Sequence, residues 1–117
     1  MMKDLELVFS CFADKNRLRI LKLLQKQKMC VCELAFVLGL TQPSISRHLK
    51  KMRRAGLINS EQDGFWTNYY LAPKNMYAIK LLENLKEWLN DDTIIISDLE
   101  RLKQADRQRL YNRECDR

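Results

Sequence analysis

Histidine occurs once in this chain of 117 residues, at His48, while glycine occurs three times and proline twice. A lone histidine and four scattered cysteines give no four-ligand spacing, which excludes a structural zinc module. Three glycines leave no loop to cradle a nucleotide's phosphates, and nothing resembles a hydrolytic triad. There is no Cys-x-x-Cys, and no βαβ pattern surrounds any cysteine, so a thiol oxidoreductase is also excluded. The chain therefore reads as a non-enzyme. No apolar run approaches the roughly 18 residues that cross a bilayer, so no membrane role is expected. The N-terminal Met1-Met2-Lys3-Asp4-Leu5-Glu6 lacks a signal-peptide core. These absences point to the cytoplasm, where the four cysteines are expected to be thiols.

A further absence is local: no acidic residue lies between Leu34 and Ser60. Within that window Arg47, Lys50, Lys51, Arg53 and Arg54 follow one another, in a chain of net charge +6. At about 100° per residue, positions 42 to 54 place Ile45, Leu49 and Met52 on one stripe and Pro43, Arg47, Lys50 and Arg54 opposite it. One face packs and the other meets a polyanion, most simply nucleic acid, whose phosphates it would neutralise. Thr41 is the expected N-cap, Pro43 fits a first turn, and Gly56 is a stop.

A shorter apolar-periodic segment, Cys32 to Leu38, breaks at Gly39 just before this helix, giving a helix-turn-helix pattern. After it, Leu57 to Ser60 and Phe65 to Leu71 read as strands joined by an Asp63-Gly64 turn, which adds a wing. The expected fold is mainly α with a β-hairpin wing: a winged helix-turn-helix. Gln42, Ser44, Ser46, Arg47, His48, Lys50, Lys51 and Arg54 are its expected contacts with double-stranded operator DNA. Trp66 and Tyr70 share one face of the second strand and are expected to pack on the body.

Helices are also expected over 4–13, 15–27, 75–90 and 93–110. The apolar face of 75–90, including Leu82, Leu85 and Trp88, is too wide for one small core, so with the first helix it is the expected homodimer interface. Residues 1–92 form the DNA-binding and dimerisation domain, and 93–117 a C-terminal helix and basic tail.

Cys30 and Cys32 open the segment before the DNA-reading helix. Side chains two apart in a regular helix diverge by about 200°, so both thiols can grip one ion only if the helix begins between them or frays. A held ion would distort the turn that supports the reading helix. Thiolates select soft ions such as trivalent arsenic or antimony, cadmium, lead or monovalent copper, and a helix N-terminus would lower the thiol pKa. The bland alternative is that both cysteines are small core residues.

Four stretches carry a family resemblance: Ala13 to Leu21, Cys30-Val31-Cys32-Glu33-Leu34, Gln42 to Leu49, and Gly64-Phe65-Trp66 through Tyr70-Leu71. Over about residues 8 to 90 the chain resembles the arsenical-resistance repressors of the ArsR/SmtB family. The resemblance implies a dimeric winged-helix repressor that binds its operator when free and leaves it when Cys30 and Cys32 hold the inducer, with arsenite or antimonite expected. Those relatives carry a third cysteine three residues after the pair, where this chain has Ala35, so a third thiolate would come from Cys11, Cys115 or a cellular thiol. Sites built from His and carboxylates on the last helix are excluded by the single histidine. The competing reading keeps the fold and answers to cadmium, lead or copper(I), or to thiol oxidation by reactive sulfur.

Overall fold

A computed structural model describes residues 1–105; Leu110, Cys115 and the rest of the expected basic tail lie outside the described residues. The elements run α1 (Met2–Phe12), α2 (Lys15–Leu24), α3 (Val31–Leu38), α4 (Gln42–Arg54), β1 (Ile58–Asp63), β2 (Trp66–Leu71), α5 (Met76–Leu85) and α6 (Thr93–Leu102). This is the winged helix-turn-helix read from the sequence.

Local chemistry sets most boundaries. Asp14 caps α2 by accepting the N–H groups of Asn16 and Arg17, both at 3.0 Å. Gly39, at φ 68°, turns the chain from α3 into α4, a left-handed conformation that glycine adopts without a Cβ clash. Thr41 Oγ1 accepts the Ser44 N–H at 3.3 Å, and proline occupies the first turn of α4. The wing is an antiparallel pair in which Ile58 faces Leu71 and Asp63 faces Trp66. Its two-residue loop is therefore Gly64-Phe65, one residue later than expected. Only Gly64 has positive φ there, at 62°, which suits a hairpin turn with glycine in the first central position.

One core, including Val8, Ile20, Leu34, Leu49, Leu57 and Leu85, joins α1 to α5 and the base of the wing. α6 belongs to it as well. Leu99 and Leu102 pack on that core, and Asp98 accepts two bonds from Arg19 of α2 at 2.8 Å each. Arg101 donates to the carbonyls of Phe36 and Val37 at 2.6 and 3.0 Å, filling acceptors that the end of α3 leaves open.

Two helices end before the bounds expected of them, at Leu85 and Leu102. α5 stops at Leu85 because the buried Lys22 ammonium donates to the carbonyls of Leu85 and Trp88 and to Asn90 Oδ1, at 2.8, 2.8 and 2.7 Å, and Leu89 turns left-handed at φ 66°. α6 ends at Leu102, and residues 106–110 of the helix expected over 93–110 lie outside the described residues. Leu82 and Leu85 prove to be buried in the protomer's own core, so they cannot form the interface expected of them. The outward apolar side chains of α1 and α5 are Met2, Phe9, Met76 and Ile79. No helix among the described residues is long and apolar enough to cross a membrane.

Candidate nucleic-acid interface and thiol site

α4 has the two faces its sequence predicts. Ile45, Leu49 and Met52 are buried, while Ser46, Arg47, Lys50, Lys51, Arg53 and Arg54 are exposed, with Gln42 and Ser44 half-buried in the first turn. Arg47, Lys50, Lys51 and Arg54 thus present their cationic heads to solvent. The fifth, Arg53, donates to Ser60 Oγ at 2.9 Å and braces the base of the wing against the helix. The wing itself carries Glu61 and Asp63 and no lysine or arginine, so the positive charge of the helix and hairpin lies on α4.

His48 turns inward. Its Nδ1 accepts the Nε–H of Arg17 at 3.1 Å, so the ring is neutral in this arrangement with its proton on Nε2. Arg17 is buried and also donates to the Ser10 carbonyl at 3.0 Å, which joins α1, α2 and α4 through one guanidinium. Burial, together with the positive charges of Arg17, Lys51 and Arg47, holds His48 below its ordinary pKa, and Asp14 opposes this only in part. Sequence reasoning missed Arg17. The signal was present, because Arg17 shares the inward face of α2 with Ile20, Leu21 and Leu24 at helical spacing.

The cysteine pair sits where a helix begins. Cys30 is the N-cap of α3, with extended backbone at φ −90° and ψ 170°, and Cys32 lies in the first turn. The divergence of about 200° expected inside a regular helix therefore does not apply. Both sulfur-bearing side chains are buried in one small cluster, walled by Phe36 and Trp66 and separate from the main core. Glu33 completes a capping box, its Oε1 accepting the Cys30 N–H at 3.0 Å, so this carboxylate is committed to the helix start. Arg101 lies 4.6 Å over the Phe36 ring, closing the side toward α6.

The other cysteines divide differently. Cys11 is in the main core, its Sγ 4.0 Å from the Lys51 carbonyl, and burial pushes its thiol above the ordinary value. It is not brought to the pair: among the described residues no three His, Cys, Asp or Glu side chains are grouped to hold one ion. Cys115 lies outside the described residues. Cys32 is disulfide-bonded in this structure, against the expectation of four thiols, so the pair offers two thiolates only in the reduced protein. The donor set then fits a thiophilic ion in two positions and leaves a third to be supplied.

Comparison with known proteins agrees with this geometry. Residues 14–60 match the family model described as bacterial regulatory protein, arsR family. An arsenic resistance transcriptional regulator of Pseudomonas putida is 35% identical over 99 residues, covering 80% of this chain and 77% of the relative. The chain belongs to the ArsR family. An arsenical resistance operon repressor of Escherichia coli is 42% identical over 78 residues, covering 65% of this chain and 67% of the relative. Among solved structures, a homodimeric winged helix-turn-helix DNA-binding domain from Mycobacterium bovis, titled a possible ArsR-family transcriptional regulator, superposes with a TM-score of 0.65. It is 21% identical and covers 79% of this chain and 83% of that one, a likeness of fold. ArsR-family proteins are DNA-binding transcriptional regulators and not enzymes.

Proposed function

We propose that this ArsR-family chain is a homodimeric cytoplasmic repressor that leaves its operator when arsenite or antimonite is held by the thiolates of Cys30 and Cys32. The carrying observation is the helix start: Cys30 as N-cap and Cys32 two residues on in the first turn, buried in one cluster. That placement lets two sulfurs meet one ion without unwinding a formed turn.

Reading is the task of α4. Arg47 and Lys50 project toward base edges, Gln42, Ser44 and Ser46 serve the N-terminal turn, and Lys51 and Arg54 neutralise phosphates. His48 positions the helix through Arg17. The dimer forms through the outward faces of α1 and α5, around Phe9 and Ile79, and matches a two-fold operator; the homodimeric Mycobacterium domain of the same fold supports this.

Release follows from the position of the pair. Thiolates drawn toward one centre pull on the capping box formed by Cys30 and Glu33, and α3, which packs directly on α4, shifts the reading face. An arsenic or antimony centre supplies the soft acceptor that the sulfurs prefer over hard oxygen-seeking cations. Cys115 or a cellular thiol supplies the third sulfur.

A second reading has its own observation, since Cys32 is disulfide-bonded while Cys30 remains a thiol: the same repressor would respond to oxidation or reactive sulfur. A titration of DNA release by the reduced protein, on its own upstream region, separates the two. Arsenite and antimonite should release it at lower concentration than cadmium, lead, copper(I) or zinc. Release by a persulfide donor with none by arsenite would establish the oxidation reading instead.

A further inference from the structure

The residue before the N-cap of α3 is paired to a strand of the wing. Met29 and Tyr69 exchange both backbone bonds, Met29 N–H to the Tyr69 carbonyl at 3.1 Å and Tyr69 N–H to the Met29 carbonyl at 2.8 Å, which is a closely spaced antiparallel pair. Lys28, one residue earlier, reaches Glu61 Oε1 of β1 at 2.8 Å and stands 5.2 Å over the Tyr70 ring. Trp66, the first residue of β2, packs against Cys30 and Cys32. Three consecutive residues, Lys28, Met29 and Cys30, are thus held against both wing strands. The wing is in turn held to the reading helix by Arg53 and Ser60 at 2.9 Å.

We propose that Trp66 is the positioning residue through which the thiol pair acts on the wing, so that ion capture is transmitted to α4 by two routes: through α3, and through the hairpin to Arg53. This rests on the reading of Cys30 and Cys32 as the inducer site. A change in the Cys30 backbone cannot leave the hairpin where it is, because the adjacent Met29 amide and carbonyl are both committed to Tyr69. The indole fills the remaining wall of the cluster, so a larger occupant between the sulfurs displaces the ring.

The chain has two tryptophans, and Trp88 is exposed, so a Trp88→Phe protein reports Trp66 alone. In the reduced, DNA-free Trp88→Phe dimer, arsenite should change Trp66 emission saturably, at the concentrations that raise sulfur–arsenic absorbance in the ultraviolet. A second variant, Trp66→Leu, should bind operator and arsenite as the parent does, yet lose part of the arsenite-induced drop in DNA affinity, by about 2- to 30-fold. Arsenite that binds and releases DNA while Trp66 emission stays constant, or while Trp66→Leu releases as the parent does, overturns the wing route and leaves the thiolate site standing. Absence of the sulfur–arsenic absorbance overturns both. A Trp66→Leu protein that fails to fold leaves the emission measurement to decide.

Discussion

Arg17 and His48 are joined by one hydrogen bond, Nε–H to Nδ1 at 3.1 Å, which ties α2 to α4. The bond exists only while Nδ1 is unprotonated. Because burial lowers the His48 pKa in the folded state, the unfolded chain takes up a proton first as pH falls. The stability this neutral ring contributes is complete above the ordinary histidine value of about 6.5 and is lost as pH falls through the folded value. Chemical denaturation between pH 7.5 and pH 5.5, a window chosen to lie above the carboxylates, should show stability falling in the parent. His48→Gln should flatten that slope, since no other histidine titrates. An unchanged slope would mean that the ring is not held neutral.

The reading face is tested by affinity and by salt. Arg47→Ala should weaken operator binding by about 1–3 kcal/mol, as expected when a bidentate base contact is lost. Lys51→Ala and Arg54→Ala should each lower the slope of log affinity against log salt by about one unit, with little effect on sequence preference. Equal affinity of folded Arg47→Ala and parent at fixed salt would remove this face from the interface.

The dimer test separates two sides of one helix. Leu85 is fully buried in the protomer, so Leu85→Ala should cost about 2–5 kcal/mol in unfolding free energy. Phe9 and Ile79 point outward, 51% and 43% exposed, so Phe9→Glu or Ile79→Glu should fold normally and sediment as monomers with weak operator binding. Dimers of undiminished stability in both would place the interface elsewhere.

The end of α5 depends on Lys22. Removing its ammonium takes a donor from the Leu85 carbonyl, which keeps the Trp88 N–H, and from the Trp88 carbonyl and the Asn90 amide oxygen, so Lys22→Met should destabilise the fold by about 1–3 kcal/mol, read as a lower denaturation midpoint. A midpoint at or above the parent's would show that water caps these groups equally well.

What was legible in the sequence was local. Thr41, Pro43 and Gly56 mark α4 within themselves, and its apolar stripe fixes which side is buried, so both ends and both faces could be read directly. The start of α3 was open to reading only as a condition, that the helix begin between the two cysteines, because no common N-cap residue stands there and Cys30 takes that position. The rest depends on residues far apart in the chain. Lys22 ends α5 from more than sixty residues away. Apolar periodicity shows that Leu82 and Leu85 are covered but not by what, and the covering proved to be the protomer itself. The Met29–Tyr69 pairing carries no side-chain signal at all, being made by two backbones.

Operator release by arsenite is the deciding comparison, measured in the reduced parent and in the Cys30→Ser/Cys32→Ser protein, with Cys11→Ser and Cys115→Ser run singly beside them. The double variant should bind the operator within about twofold of the parent, a difference of roughly 0.4 kcal/mol, and should stay bound as arsenite rises. Cys11→Ser should respond as the parent does, since its sulfur faces Lys51 in the main core. Loss of DNA binding in the double variant, or release by arsenite with both thiols gone, would contradict the account.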